Sequence, residues 1–142
     1  MIVATGKLSL DCDYSGHRLM GNTARLAGRT VLIVEDEPVI ALELRKLFET
    51  EGANVRMASN PTDALLLLEN VSAAMLDFVS RGDDIAALCR TLRGLGIPFM
   101  YYTGFDDLDE RLLGAPIVTK PASAEVLVTC IERLLSLSRN AS

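Results

Sequence analysis

The sequence predicts a doubly wound α/β domain built on a five-stranded parallel sheet, and three observations predict it. From Thr30 onward, short aliphatic runs alternate with amphipathic segments. Two of the runs, V-L-I-V at 31–34 and A-A-M-L at 73–76, are continuously apolar, as strands covered on both faces must be. Prolines and capping residues stand where the intervening segments would start as helices. Strand followed by helix, five times over, implies parallel strands with helices on both faces of the sheet.

Residues 30–34 form the first predicted strand. Pro38 suits the first turn of the helix that follows, because proline lacks the N–H that a helix start leaves unpaired. Val39, Ile40, Leu42, Leu44, Leu47 and Phe48 are expected to line one broad apolar face of that helix, which should end near Gly52. Residues 54–58 make the second strand. Asn60 offers an N-cap and Pro61 the first helical position of a helix expected to run through Leu68. The third strand is 72–76. Asp83 or Asp84 can cap a helix whose apolar face is Ile85, Leu88, Cys89 and Leu92 and which Gly94 and Gly96 stop. Residues 97–102 make the fourth strand, 105–113 have room only for a short acidic helix, and 115–119 make the fifth strand. Ser123 caps a last helix with Leu127, Cys130, Ile131, Leu134 and Leu135 on one face. Residues 1–29 mix polar, glycine and isolated apolar residues without a sustained period and read as a flexible extension. Met20 offers a second translation start within it. The domain is thus expected at 30–138, with a tail at 139–142.

Bulk properties exclude several classes of function. A chain of 142 residues, 49% hydrophobic and 23% charged, has room for one compact domain. A net charge of -5 without clustered Lys and Arg argues against a nucleic-acid surface. The N-terminus has no basic segment followed by a long apolar run, and no stretch is long and apolar enough for a membrane span, so the expected compartment is the cytoplasm. Cys12, Cys89 and Cys130 are widely spaced and include no CxxC pair, which fits reduced thiols; Cys89 and Cys130 fall at apolar helix positions.

In a doubly wound sheet the reactive crevice lies beyond the carboxyl ends of the strands. Glu35 and Asp36 follow the first strand, Asp77 the third, Thr103 and Gly104 the fourth, and Lys120 and Pro121 the fifth. Three carboxylates in one crevice repel unless a proton or a cation relieves them. A hard divalent ion with oxygen ligands answers that need, so Mg²⁺ is the expected cofactor, with Mn²⁺ a substitute. A carboxylate cluster beside an ammonium and a hydroxyl also describes a phosphoryl-acceptor site.

The ordered set V-L-I-V-E-D-E, Leu76-Asp77, Tyr102-Thr103-Gly104 and Thr119-Lys120-Pro121 resembles the receiver domains of two-component response regulators, over Thr30 to about Ser138. The resemblance implies the flavodoxin-like strand order 2-1-3-4-5. It implies that Asp77 accepts phosphate from a histidine kinase or a histidine phosphotransfer protein. By the same resemblance Asp36 and Asp77 bind Mg²⁺ directly, Glu35 acts through water, and the Val79 carbonyl supplies a further ligand. Lys120 pairs with the phosphoryl group, Thr103 bonds it and moves on activation, and the Lys120-Pro121 peptide is cis.

Two features depart from the family pattern. Lys120 follows Thr103 by only 17 positions, so the fourth helix must be short or irregular. The face of fourth helix, fifth strand and fifth helix, which many receivers use to dimerise, is therefore not expected to serve here in the usual way. Ile117 occupies the switch position where receivers commonly carry Tyr or Phe. The stretch P-F-M-Y-Y-T-G-F also resembles the Phe-Ala-Thr-Gly branch of single-domain receivers, with Tyr101-Tyr102 in place of Phe-Ala, a branch known for a reduced fourth-helix region. With no output segment after the last helix, the signal is expected to leave through contacts with an unknown target protein and with neither nucleic acid nor membrane. The competing reading is a receiver-like interaction module that is not phosphorylated. A flavodoxin-like cofactor binder would need Ser, Thr and Gly in the first loop rather than E-D-E-P, and an aspartate-dependent phosphohydrolase would need an acid at Val79. The chain is thus expected to be a phosphoacceptor signalling domain and not an enzyme, with self-catalysed phosphotransfer and autodephosphorylation at most. Glu37, His17, Asp83, Asp84 and the acidic run 106–110 read as caps or surface charge. Of Tyr101 and Tyr102, one is expected in the core and the other on a partner surface.

Overall fold

A computed structural model of the chain describes residues 3–4, 24–77, 83–104 and 114–141. Its strands are β1 (Val3–Ala4), β2 (Thr30–Val34), β3 (Asn54–Ala58), β4 (Ala73–Leu76), β5 (Phe99–Thr103) and β6 (Ile117–Thr119). They form one sheet in the order β1-β6-β5-β4-β2-β3, and every pairing is parallel. The five strands expected from the sequence therefore stand in the order 2-1-3-4-5, and Val3–Ala4 adds a short strand at the β6 edge. The helices are α1 (Pro38–Thr50), α2 (Pro61–Ala64), α3 (Asp83–Gly94) and α4 (Ala124–Ala141), with a 3-10 turn at Leu65–Leu67.

Because side chains alternate along a strand, each central strand feeds two cores. Val31, Ile33, Met75, Met100, Tyr102 and Val118 pack with Phe48 of α1 and Ile131 of α4 on one face. Leu32, Val34, Leu76, Tyr101 and Ile117 pack with Leu88 and Leu92 of α3 on the other. This double burial explains why the strand sequences are apolar without alternation. Cys89 and Cys130 are buried in these cores, and burial raises the pKa of both thiols.

Several expected boundaries shift for local reasons. β5 starts at Phe99 rather than 97 and β6 at Ile117 rather than 115, because Pro98 and Pro116 have no N–H to donate to a ladder; their carbonyls accept from Ala74 at 3.0 Å and Tyr101 at 2.9 Å. The helix expected to reach Leu68 tightens after Ala64. There the Arg56 guanidinium, reaching over from β3, bonds the Leu67 carbonyl at 2.9 Å and the Glu69 carbonyl, drawing both away from any helical continuation. Asn60 caps α2 as expected, accepting from the Asp63 N–H at 2.8 Å. In α1 the stripe that meets the sheet is Ile40, Leu44, Leu47 and Phe48. Val39 and Leu42 leave it and are 66% and 55% exposed, since an apolar stripe about 100° wide cannot also hold residues turned about a third and about half of a circle away. Helix α4 runs on to Ala141, into the residues expected to form a tail. The segment 105–113 lies outside the described residues.

Residues 24–29, counted with the extension on sequence grounds, form a turn packed onto the domain. Leu26 is 1% exposed and joins the core of α1 and α4, its N–H bonding the Glu51 carbonyl at 2.8 Å. Arg25 reaches α4, where its guanidinium meets Glu125 at 2.8 Å, Glu132 at 2.5 Å and Thr129 at 3.2 Å. Burial opposes the Arg25 charge, but the bonds to Glu132 and Glu125 outweigh it and raise its pKa. Gly52 makes the fit possible. Its φ of +90° favours glycine, and an added Cβ would lie 2.9 Å from the Ala24 Cβ. Gly52→Ala is therefore expected to cost about 1–3 kcal/mol by urea unfolding; an unchanged midpoint would mean that the turn yields without loss.

Candidate functional site

Parallel pairing carries the acids to one rim. β2 runs out of its buried aliphatic stretch into Glu35 and Asp36, and the register that sets Val34 opposite Leu76 brings Asp77 alongside them. The Asp77 N–H donates to the Val34 carbonyl at 2.8 Å. One carboxylate oxygen from each of Glu35, Asp36 and Asp77 lies within 4.8 Å of the others. The Glu35 and Asp77 side chains are 1% and 4% exposed, whereas Asp36 is open to solvent. Beside them a hollow of about 400 Å³ is bounded by Pro38, Ala41, Met57 and Asp63.

Lys120 reaches the same rim from β6. Its backbone N–H donates to the Thr103 carbonyl at 2.8 Å, and its Nζ lies 2.8 Å from Asp77 Oδ2 and 3.4 Å from Glu35 Oε1. The Lys120-Pro121 peptide is cis. Burial works against the lysine's charge, yet bonding and attraction to Asp77 and Glu35 prevail and raise its pKa. The Glu35 carboxyl is pushed up to about 7, first by burial and then by its contact with Asp77. The Glu37 N–H, which donates to Glu35 Oε2 at 3.1 Å, and the Lys120 charge pull it the other way.

One ammonium does not balance this cluster. Two carboxylates at about 4–5 Å repel by roughly 3–4 kcal/mol at the effective dielectric of a protein surface, and three of them stand here around one lysine. The donor set is all oxygen and partly open, which fits a hard divalent cation of the Mg²⁺ kind and not a soft metal.

Glu35, Asp36, Asp77 and Lys120 are thus brought together. Thr103, fully buried, ends β5 at the same end of the sheet and pairs in register with Thr119. Val79 lies outside the described residues, as does His17. Both tyrosines belong to the core, so neither supplies the partner surface expected of one of them. Tyr101 is 2% exposed, its hydroxyl 3.1 Å from Cys89 Sγ. Tyr102 is the residue that sequence reasoning missed at this site: Lys120 Nζ sits 5.4 Å from its ring centroid, and its hydroxyl accepts the Ala122 N–H at 3.3 Å. Strand alternation held the clue, since Tyr102 pairs with Val118, two positions before Lys120.

No family model matches the sequence. Among curated proteins, the chain is 28% identical over 116 residues to the uncharacterized transcriptional regulatory protein YbdJ of Bacillus subtilis, covering 78% of this chain and 52% of that protein. It is 30% identical over 118 residues to the aerobic respiration control protein ArcA of Escherichia coli, covering 78% of this chain and 50% of ArcA. The chain spans about half the length of the curated relatives it matches. Among solved structures, the signal receiver domain of a signal transduction histidine kinase from Syntrophus aciditrophicus is 31% identical, with a TM-score of 0.64 over 77% of this chain and 91% of that one. A response regulator receiver domain protein from Clostridium thermocellum shares the fold at 22% identity, with a TM-score of 0.71 over 80% of this chain and 99% of its own. No helix among the described residues is long and apolar enough to cross a membrane.

Proposed function

The chain belongs to the receiver domains of two-component response regulators, and from that premise we propose that it accepts a phosphoryl group on Asp77 and signals through protein contacts that depend on it. The observation that carries this reading is the 2.8 Å contact of Lys120 with Asp77 inside the cluster of Glu35, Asp36 and Asp77. An oxygen of the Asp77 carboxylate attacks the phosphorus of a phosphohistidine on a kinase or phosphotransfer protein. The P–N bond breaks, its electron pair stays with the imidazole nitrogen, and an acyl phosphate forms on Asp77. Lys120, already at the carboxylate, meets the charge of the incoming phosphoryl oxygens without having to be recruited. The Thr103 hydroxyl bonds the same group and draws the end of β5 toward it. Asp36 and Asp77 would hold Mg²⁺ directly, with Glu35 acting through water and the Val79 carbonyl as a further ligand. Bound there, the ion supplies neutralisation of the transferred group's charge.

Phosphorylation then biases the loops after β4 and β5 between two arrangements, and the affinity for a target protein changes with it. The setting proposed is the cytoplasm, with neither nucleic acid nor membrane as partner. Intact-mass spectrometry after incubation with acetyl phosphate, or with phosphorylated histidine kinases from the same cell, tests the proposal. One phosphoryl group should be gained, cleaved by hydroxylamine and prevented by EDTA. A chain that gains none from any donor would instead be an interaction module that keeps the fold without the chemistry.

A further inference from the structure

We propose that Tyr102 is a positioning residue for Lys120, holding both the ammonium and the loop that the lysine begins, so that Lys120 is aimed at Asp77 before a phosphoryl group arrives. The proposal rests on the function given above. Tyr102 is buried in the core shared by β5, β6 and α4, which fixes its ring. Lys120 Nζ stands 5.4 Å from the ring centroid, inside the range of about 6 Å over which an aromatic ring attracts a cation. The hydroxyl accepts the Ala122 N–H at 3.3 Å, two residues beyond Lys120 and across the Lys120-Pro121 bond. One rigid side chain therefore grips the lysine at its tip and its loop downstream.

The choice of an aromatic residue has an electrostatic reason. The ammonium already meets Asp77 and Glu35, and Asp36 adds a third carboxylate to the cluster. Another acid could hold the lysine only by increasing the repulsion there. A ring holds it without adding charge. A lysine left to its carboxylates alone would swing on four rotatable bonds, and pre-paid orientation is what a transfer step gains most from. The ring stays in place when Asp77 changes from carboxylate to acyl phosphate, so the lysine keeps one unaltered anchor through the reaction.

The test uses the full chain with Tyr102→Phe, which keeps the ring and removes the hydroxyl, and Tyr102→Leu, which removes both, each also combined with Lys120→Ala. Proton and carbon NMR of the Lys120 side chain should show a ring-current displacement in the unaltered chain, kept in Tyr102→Phe and lost in Tyr102→Leu. The Ala122 amide should exchange faster in Tyr102→Phe. With acetyl phosphate and Mg²⁺, the initial phosphorylation rate should fall about tenfold in Tyr102→Leu and show no further fall when Lys120→Ala is already present. An undisplaced Lys120 signal in the unaltered chain overturns the proposal, and so does an equal loss of rate with and without Lys120, which would mark Tyr102 as core filling only. If Tyr102→Leu does not fold, the unaltered chain and Tyr102→Phe still decide through the first two readouts. If the unaltered chain takes up no phosphate, the function proposed above has failed, while the NMR result still decides whether Tyr102 positions Lys120.

Discussion

A chain carrying Asp77→Asn is expected to take up no phosphoryl group, a complete loss by intact mass against a chain that is otherwise the same. The amide is nearly the same size as the carboxylate and keeps the backbone bond to Val34, but it has no anionic oxygen to attack phosphorus. The fold should survive the change. Lys120 loses its 2.8 Å partner yet retains Glu35 at 3.4 Å, and the removal of one of three clustered charges relieves repulsion. These effects oppose each other, so stability should move by no more than about 2 kcal/mol, measured by urea unfolding. Labelling that persists in Asp77→Asn would place the acceptor on another carboxylate, and Asp36→Asn would then be the deciding variant.

The second large effect concerns stability. A chain starting at Thr30, where the sequence places the domain boundary, should be less stable than the full chain by about 3–6 kcal/mol. Emptying the site of a fully buried leucine costs about 2–5 kcal/mol through lost burial and the cavity left behind, and Leu26 is such a residue. The Arg25 contacts with Glu125 and Glu132, at the protein surface, add about 1 kcal/mol. Against the 5–15 kcal/mol typical of a domain, that loss would leave the shortened chain marginal. Urea midpoints for the full chain, the chain from Thr30 and Leu26→Ala in the full chain separate the contributions, with Leu26→Ala expected to account for most of the fall. Equal midpoints for the full and shortened chains would show that neither the turn at 24–29 nor the pairing of β1 with β6 adds stability to the domain.

Much of the architecture was legible because it is written in local patterns. V-L-I-V and A-A-M-L read as strands buried on both sides because their neighbours supply no polar alternation, and they are β2 and β4. Asn60-Pro61 and Ser123 announced helix starts through capping chemistry that acts over three residues, and both hydroxyl or amide caps are made. The placing of Glu35, Asp36, Asp77 and Lys120 followed from one topological rule, that the ends of parallel strands meet at one rim. The errors came where two local signals competed. Val39 and Leu42 are apolar and helical, but only packing decides which apolar residues of α1 meet the sheet. Prolines at 98 and 116 sit in apolar runs, and the ladder they interrupt shortened both strands.

What local pattern cannot carry is contact between residues far apart in the chain. Arg25 meets Glu125 and Glu132 across 100 and 107 positions, and no periodicity links them. The sequence left Tyr102 between core and partner surface, because its relation to Lys120 depends on β5 and β6 being neighbours in a fixed register. The sequence was sufficient for the strands, the caps and the set of acids at the strand ends, since each is enforced within a few residues by backbone hydrogen bonding and burial. The turn at 24–29 and the tyrosine behind the lysine were settled by the folded sheet, because only the sheet order brings those side chains within reach of their partners.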